Sequence, residues 1–157
     1  MNIELIVIGK NDTAEIEAMV AEYSRRINRY CKFAMTILPD VRNTRGMSEN
    51  VQRTAEGESI LAHLSAGDFV ALLDERGKEF RSTEFAEWLQ KRMNGGVKRL
   101  VLVVGGPYGF SRQVYDRADA MVSLSRMTFP HGLVRAVLAE QLYRAFTILN
   151  HEPYHHE

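Results

Sequence analysis

From residue 3 to residue 8 the chain is apolar except for Glu4, a run that predicts a strand buried on both faces. The period then changes. Ile16, Met19, Val20 and Tyr23 recur at helical spacing behind Asp12 or Thr13, either of which can cap a helix reaching about Ile27. Residues 33–38 read as a second strand, and the polar, turn-rich stretch 39–46 reads as a loop. Ser48 and Glu49 open a second helix through about Leu64, Gly67-Asp68 is a turn, and 69–73 is a third strand. A third helix over 82–93 carries Phe85, Trp88 and Leu89 on one face and stops at Gly95-Gly96. A fourth strand (99–104), a short helix (about 111–118), a fifth strand (120–124) and a last helix (about 131–149) complete the series. Strands alternating with helices in this way predict an α/β fold, a parallel-sheet core with helices on both faces. There is no internal repeat, low-complexity tract or linker, so 1–157 reads as a single domain.

Length and composition narrow the setting. A chain of 157 residues buries roughly two thirds of its unfolded surface and needs no staple. Its one cysteine, Cys31, excludes an internal disulfide framework and fits a reducing compartment. No apolar run approaches the roughly 18 residues that span a bilayer. The first segment has an acid inside it and no basic start, so it is a strand rather than a signal peptide, and a cytoplasmic protein is expected. Net charge is zero with histidines neutral, which argues against wrapping bare nucleic acid by charge alone, so neither DNA nor a membrane is an expected partner. RNA stays open, because a local basic patch docks a phosphate backbone; Arg25, Arg26, Arg29 and Lys32 are a candidate patch, or a solvated helix end.

Three strand ends resemble one another in kind. Leu73-Asp74-Glu75-Arg76-Gly77 follows the third strand, Gly105-Gly106-Pro107-Tyr108-Gly109 the fourth, and the run Leu124 to Phe129 the fifth. In an open parallel sheet such turns share one edge and converge on a crevice. The dinucleotide fingerprint is missing, since the first turn has only Gly9 and the later glycines are spaced G-G-x-x-G. The phosphate loop G-x-x-x-x-G-K-[ST] is missing too. A ligand without phosphates, such as S-adenosylmethionine, suits three glycine- and serine-containing turns of this kind.

Polar chemistry gathers at the C-terminal end, where four of the five histidines lie from His131 onward. Leu133, Val134, Val137, Leu138, Leu142 and Phe146 form a broad apolar side of the last helix, wide enough for the sheet and another subunit. His131 with Arg135, and Glu140 with Arg144, are neighbours four apart; the second pair reads equally as a surface ion pair. The tail Tyr154-His155-His156-Glu157 is either a disordered end or a working one, since Tyr stacks on a base and His moves a proton near neutral pH. His151, His155 and His156 lack a second ligand cluster at diagnostic spacing, so no metal site is expected.

Taken together, Gly105-Gly106-Pro107-Tyr108-Gly109, Leu124 through His131, Val134-Arg135, Glu140 through Ala145 and Pro153-Tyr154-His155 resemble the large-subunit ribosomal RNA pseudouridine N3-methyltransferase family of the SPOUT class. The likeness extends to the N-terminal Ile-Val-Ile-Gly strand and Leu73-Asp74, hence to nearly the whole chain. It implies a deep trefoil knot in the C-terminal part, a rare exception to the usual topology rules. It also implies a homodimer, S-adenosylmethionine as methyl donor, and ribosomal RNA of the assembled ribosome as substrate. The family's cofactor contacts map onto Leu73, Gly105, Leu124, Ser125, Arg126, Met127, Thr128 and Phe129. On that resemblance His155 is the base or hydrogen-bond partner at the target nitrogen, and Tyr154 places the ring. Arg135 and Arg144 would hold RNA phosphates or developing negative charge. Family members often end in Tyr-His-Arg or a Lys; here that position is His156, whose charge depends on pH. The competing readings are a SPOUT enzyme acting on another RNA, such as a transfer RNA, and a non-catalytic ribosome-binding protein. Cofactor binding separates the last from the others.

Overall fold

In the computed structural model, which describes residues 1–10 and 13–156, five strands and five helices alternate. They are β1 (Asn2–Ile8), α1 (Ala14–Ile27), β2 (Phe33–Leu38), α2 (Glu49–His63), β3 (Phe69–Glu79), α3 (Ser82–Asn94), β4 (Arg99–Val104), α4 (Arg112–Arg117), β5 (Ala120–Ser123) and α5 (His131–Leu149). The strands form one parallel sheet in the order β2-β1-β4-β3-β5. Thr13 caps α1, while Asp12, the other candidate, lies outside the described residues. Ser48 caps α2 by accepting from the Val51 N–H at 3.2 Å, satisfying one of the donors a helix start leaves open.

The period-2 pattern of the strands divides the core in two. Ile3, Leu5, Val7, Leu100, Leu102 and Val104 face α1, α3 and α5, where they meet Ile27, Phe85, Trp88, Leu89, Leu138 and Leu142. Ile6, Ile8, Val70, Leu72, Val101 and Val103 face α2 and α4 and meet Ile60 and Val114. The sheet is therefore covered on both faces, and β1 and β4, two of its three inner strands, carry almost no exposed side chain. Two positions assigned to apolar faces stay in water: Met19 on α1 is 46% exposed and Leu133 on α5 is 38% exposed. Among the described residues no helix is long and apolar enough to cross a membrane.

One element departs from expectation. The segment Leu73 to Gly77 is not a turn after the third strand; β3 continues to Glu79 through a bulge. Both Leu73 and Lys78 pair with Val122 of β5, so residues 74–77 are looped out between two stretches of ladder. Gly77 makes this closure feasible. A Cβ there would lie 2.6 Å from the Val122 backbone nitrogen and 2.7 Å from Met121 and Val122 carbonyl carbons. Backbone cannot move aside as a side-chain tip can. Gly77→Ala is expected to cost about 2 kcal/mol by overpacking, which for a chain of this size lowers the thermal midpoint by about 4–8 °C. An unchanged midpoint by calorimetry would show that the β3–β5 seam yields freely.

Candidate functional site

The carboxyl ends of β3, β4 and β5 open into a cleft of about 570 Å³, in the size class of small-molecule sites. The three segments singled out in the sequence all line it. Leu73 comes from β3, Gly105 from the end of β4, and Leu124, Ser125, Met127, Thr128 and Phe129 from the loop after β5. Arg126 is the exception: it is outside the cleft lining and turns toward Glu79 at 3.4 Å, with its side chain 85% exposed.

Local bonds hold these segments in shape. After β4 the chain folds into a tight glycine loop, in which Gly106 and Gly109 form an antiparallel bridge. The Glu56 carboxylate of α2 occupies the space a Cβ on Gly106 would need, so the loop backbone lies directly on α2. In the loop after β5, the Ser123 hydroxyl donates to the Ser125 carbonyl at 3.0 Å, and the Ser125 hydroxyl accepts from the Met127 N–H at 3.0 Å. The loop leads into α5, whose first residues His131 and Val134 also reach the cleft. The N-cap residue is Pro130, and among the described residues no side chain caps this helix start, so its N–H groups and positive dipole end would face an anionic group beside the cleft.

The bulge of β3 brings in a cluster that the sequence reading missed. Asp74 accepts from the Arg76 backbone N–H at 2.9 Å and from Arg76 Nε at 3.2 Å. The Tyr115 hydroxyl of α4 donates to Asp74 Oδ2 and accepts from Arg76 Nη2, both at 2.5 Å. Burial raises the Asp74 pKa, but the bonds from Arg76 and Tyr115 outweigh it and hold the carboxyl below its ordinary value. Burial, then the bond to Asp74, pushes the Tyr115 phenol up.

Of the four residues assigned to catalysis, none lines the cleft of its own chain. Arg135 is a correction. It is 1% exposed, and its Nη2 donates to the carbonyls of Ile8 at 2.6 Å and Gly9 at 2.8 Å. The reason lies in the sheet: β4 ends opposite Val7, so Ile8 and Gly9 run past the last β1–β4 pair. The other three form one group beside the C-terminal half of α5, away from its first turn at the cleft. Arg144 pairs with Glu140 at 2.6 Å, stacks over the Tyr154 ring at 4.8 Å, and reaches His155 Nδ1 at 3.3 Å. Tyr154 donates to Glu140 at 3.1 Å, sits edge-on to Tyr143, and lies within 3.4 Å of the Tyr23 hydroxyl. The terminus is thus packed rather than loose, and Glu140–Arg144 is a half-buried pair rather than a surface one. In the basic cluster of α1, Arg25 and Arg26 are both held by Glu22, at 2.9 and 2.7 Å, so two of its four cations share one carboxylate. Among the described residues no three His, Cys, Asp or Glu side chains are grouped to hold a metal ion.

The chain is similar to known proteins along nearly its whole length. A family model described as "Predicted SPOUT methyltransferase" matches residues 1–155. The chain is 56% identical over 156 residues to the "Ribosomal RNA large subunit methyltransferase H" of Christiangramia forsetii, covering 99% of each. It is 46% identical over 157 residues to the protein of the same name from Bacteroides thetaiotaomicron, covering 100% of each. Among solved structures, a probable methylase family protein from Haemophilus influenzae Rd KW20 superposes with a TM-score of 0.52 at 12% identity, over 96% of this chain and 66% of that one. At that identity the likeness speaks to the fold alone. With a matching family model over nearly its full length and relatives of half-identical sequence from end to end, the chain belongs to the SPOUT methyltransferase family.

Proposed function

We propose that this chain is an S-adenosylmethionine-dependent methyltransferase that methylates ring nitrogen 3 of a pseudouridine in 23S ribosomal RNA of assembled ribosomes. It works as a cytoplasmic homodimer. The carrying observation is the cleft itself: the bulge of β3 and the loops after β4 and β5 enclose about 570 Å³ at one sheet edge without any phosphate-binding motif, in a chain alike from end to end to proteins named for methylating large-subunit RNA.

The residues present fit the donor. Leu73, Val104, Leu124 and Phe129 offer apolar walls for an adenine ring, and the backbone of the loop after β5 offers polar groups at its edge. The open start of α5, with His131, suits the donor's carboxylate. When bound, the donor supplies a methyl group already activated by a sulfonium, so the protein's contribution is placement. The acceptor N3 carries a proton and is a weak nucleophile at neutral pH, so that proton must be taken or shared. His155 is assigned that task, with Tyr154 placing the ring. Arg144 steadies the charge that builds on it.

Within one chain these three stay off the cleft, because the tail packs on α5 and α1. The dimer resolves this: the tail of one subunit completes the cleft of the other.

The test is methyl transfer from labelled S-adenosylmethionine to ribosomes lacking this modification, with the label mapped by mass spectrometry of RNA fragments. Label on a large-subunit pseudouridine is the expected result. Cofactor binding with no such label points to another RNA, and no cofactor binding at all overturns the enzymatic reading in favour of ribosome binding alone.

A further inference from the structure

Arg76 is the only Lys or Arg among the described residues that line the cleft. The three cations assigned to the site from the sequence are engaged elsewhere: Arg135 is buried on backbone carbonyls, Arg144 holds Glu140 and the tail, and Arg126 faces Glu79. Arg76 stands on the outer turn of the β3 bulge with its side chain 66% exposed, whereas the Asp74 behind it is 8% exposed. Its Nε and Nη2 are spent on Asp74 and Tyr115, and its guanidinium lies 5.0 Å from the Tyr115 ring centre. Nη1 has no hydrogen-bond partner among the described residues.

We propose that Arg76 is an RNA-phosphate anchor at the mouth of the cleft, with Asp74 and Tyr115 as the residues that position it. This rests on the reading of the chain as an RNA methyltransferase. A nucleotide whose base enters the cleft leaves its ribose and phosphate at the mouth, where the unspent edge of this guanidinium faces solvent. Bracing from behind means that little side-chain freedom is lost on contact. Glu75, exposed on the same turn, offsets the positive charge. The contact must therefore come from the directed N–H groups of a fixed planar fork rather than from a general positive field.

The experiment measures ribosome affinity, KM, kcat and the salt dependence of binding in the full-length protein. Arg76→Ala is expected to weaken ribosome affinity about tenfold, the loss of one charge-assisted bond. It should flatten the slope of log affinity against log salt by about 0.7, one single-strand phosphate contact, with cofactor affinity unchanged. Arg76→Lys keeps the charge, so it should keep the slope yet lose most of the affinity. Tyr115→Phe removes the brace, and should raise KM for ribosomes about threefold with kcat intact, a split that a folding defect would not give. Unchanged affinity and slope in Arg76→Ala, with the wild type active, overturns the anchor, as does a parallel loss of cofactor binding. A wild type that leaves ribosomal RNA unlabelled overturns the enzymatic reading, and the anchor falls with it.

Discussion

Replacing His155 by Ala is expected to lower turnover about 10²–10⁴-fold, the usual cost of losing a proton-transfer group, while cofactor affinity stays within about twofold of wild type. The second half follows from position, since His155 lies off the cleft of its own chain and packs against Arg144. Turnover within about threefold of wild type would remove His155 from the reaction. The same contact bears on what the ring does. Arg144 can only donate, so at 3.3 Å His155 Nδ1 is the acceptor and the proton of the neutral ring sits on Nε2. Nε2 is buried within the single chain, so donating from it to a carbonyl oxygen of the target base, which gains charge as N3 gives up its proton, requires the tail to shift. To act as the base itself, the ring must first release Arg144. His155→Gln separates these roles, because Gln can donate but cannot take up a proton at neutral pH. Recovery to within about tenfold of wild type marks a hydrogen-bond donor, whereas a loss equal to that of Ala marks a base.

The elements were legible because each carries its own period. The apolar run of β1, the spaced apolar residues of α3 and the Gly95-Gly96 stop are local signals, and local chemistry placed them. The cleft was half legible. Turns after parallel strands share an edge by topology, so Leu73, Gly105 and most of the run from Leu124 to Phe129 could be gathered without coordinates. Failures came where tertiary pairing overrides local pattern. Asp74 to Gly77 reads as a turn, yet re-registered pairing with β5 makes it a bulge inside a longer strand. Asp74 and Tyr115 are 41 residues apart and meet only because β3 and α4 converge at the cleft. Nothing in the order of residues announces that contact. The tail reads as either a loose end or a working one, and packing decides against the loose end: Tyr154 finds Tyr143, Glu140 and Tyr23 at once. An aromatic ring with a hydroxyl gains from burial only when such a partner is present.

Arg135→Met is expected to destabilise the protein by about 3–5 kcal/mol, read from urea or thermal unfolding. The sequence places Arg135 four residues from His131 on one helix face, and the family resemblance assigns it to RNA phosphates or developing negative charge. Its neighbours here are instead the buried faces of α5 and the end of β1, with the Ile8 and Gly9 carbonyls as acceptors. Methionine fills much of the same volume but donates nothing. The variant therefore strands two buried carbonyls that lie past the last β1–β4 pair, at about 1–3 kcal/mol each. Arg135→Lys keeps one flexible donor and should fall between Met and wild type, because an ammonium cannot match the geometry of a planar guanidinium held in place. A role in RNA binding predicts another pattern: near-normal unfolding for both variants, and a ribosome affinity that falls with Met but survives with Lys. These outcomes differ in which measurement moves for the same pair of proteins, so one unfolding curve and one binding curve per variant decide whether Arg135 holds the fold together or holds the substrate.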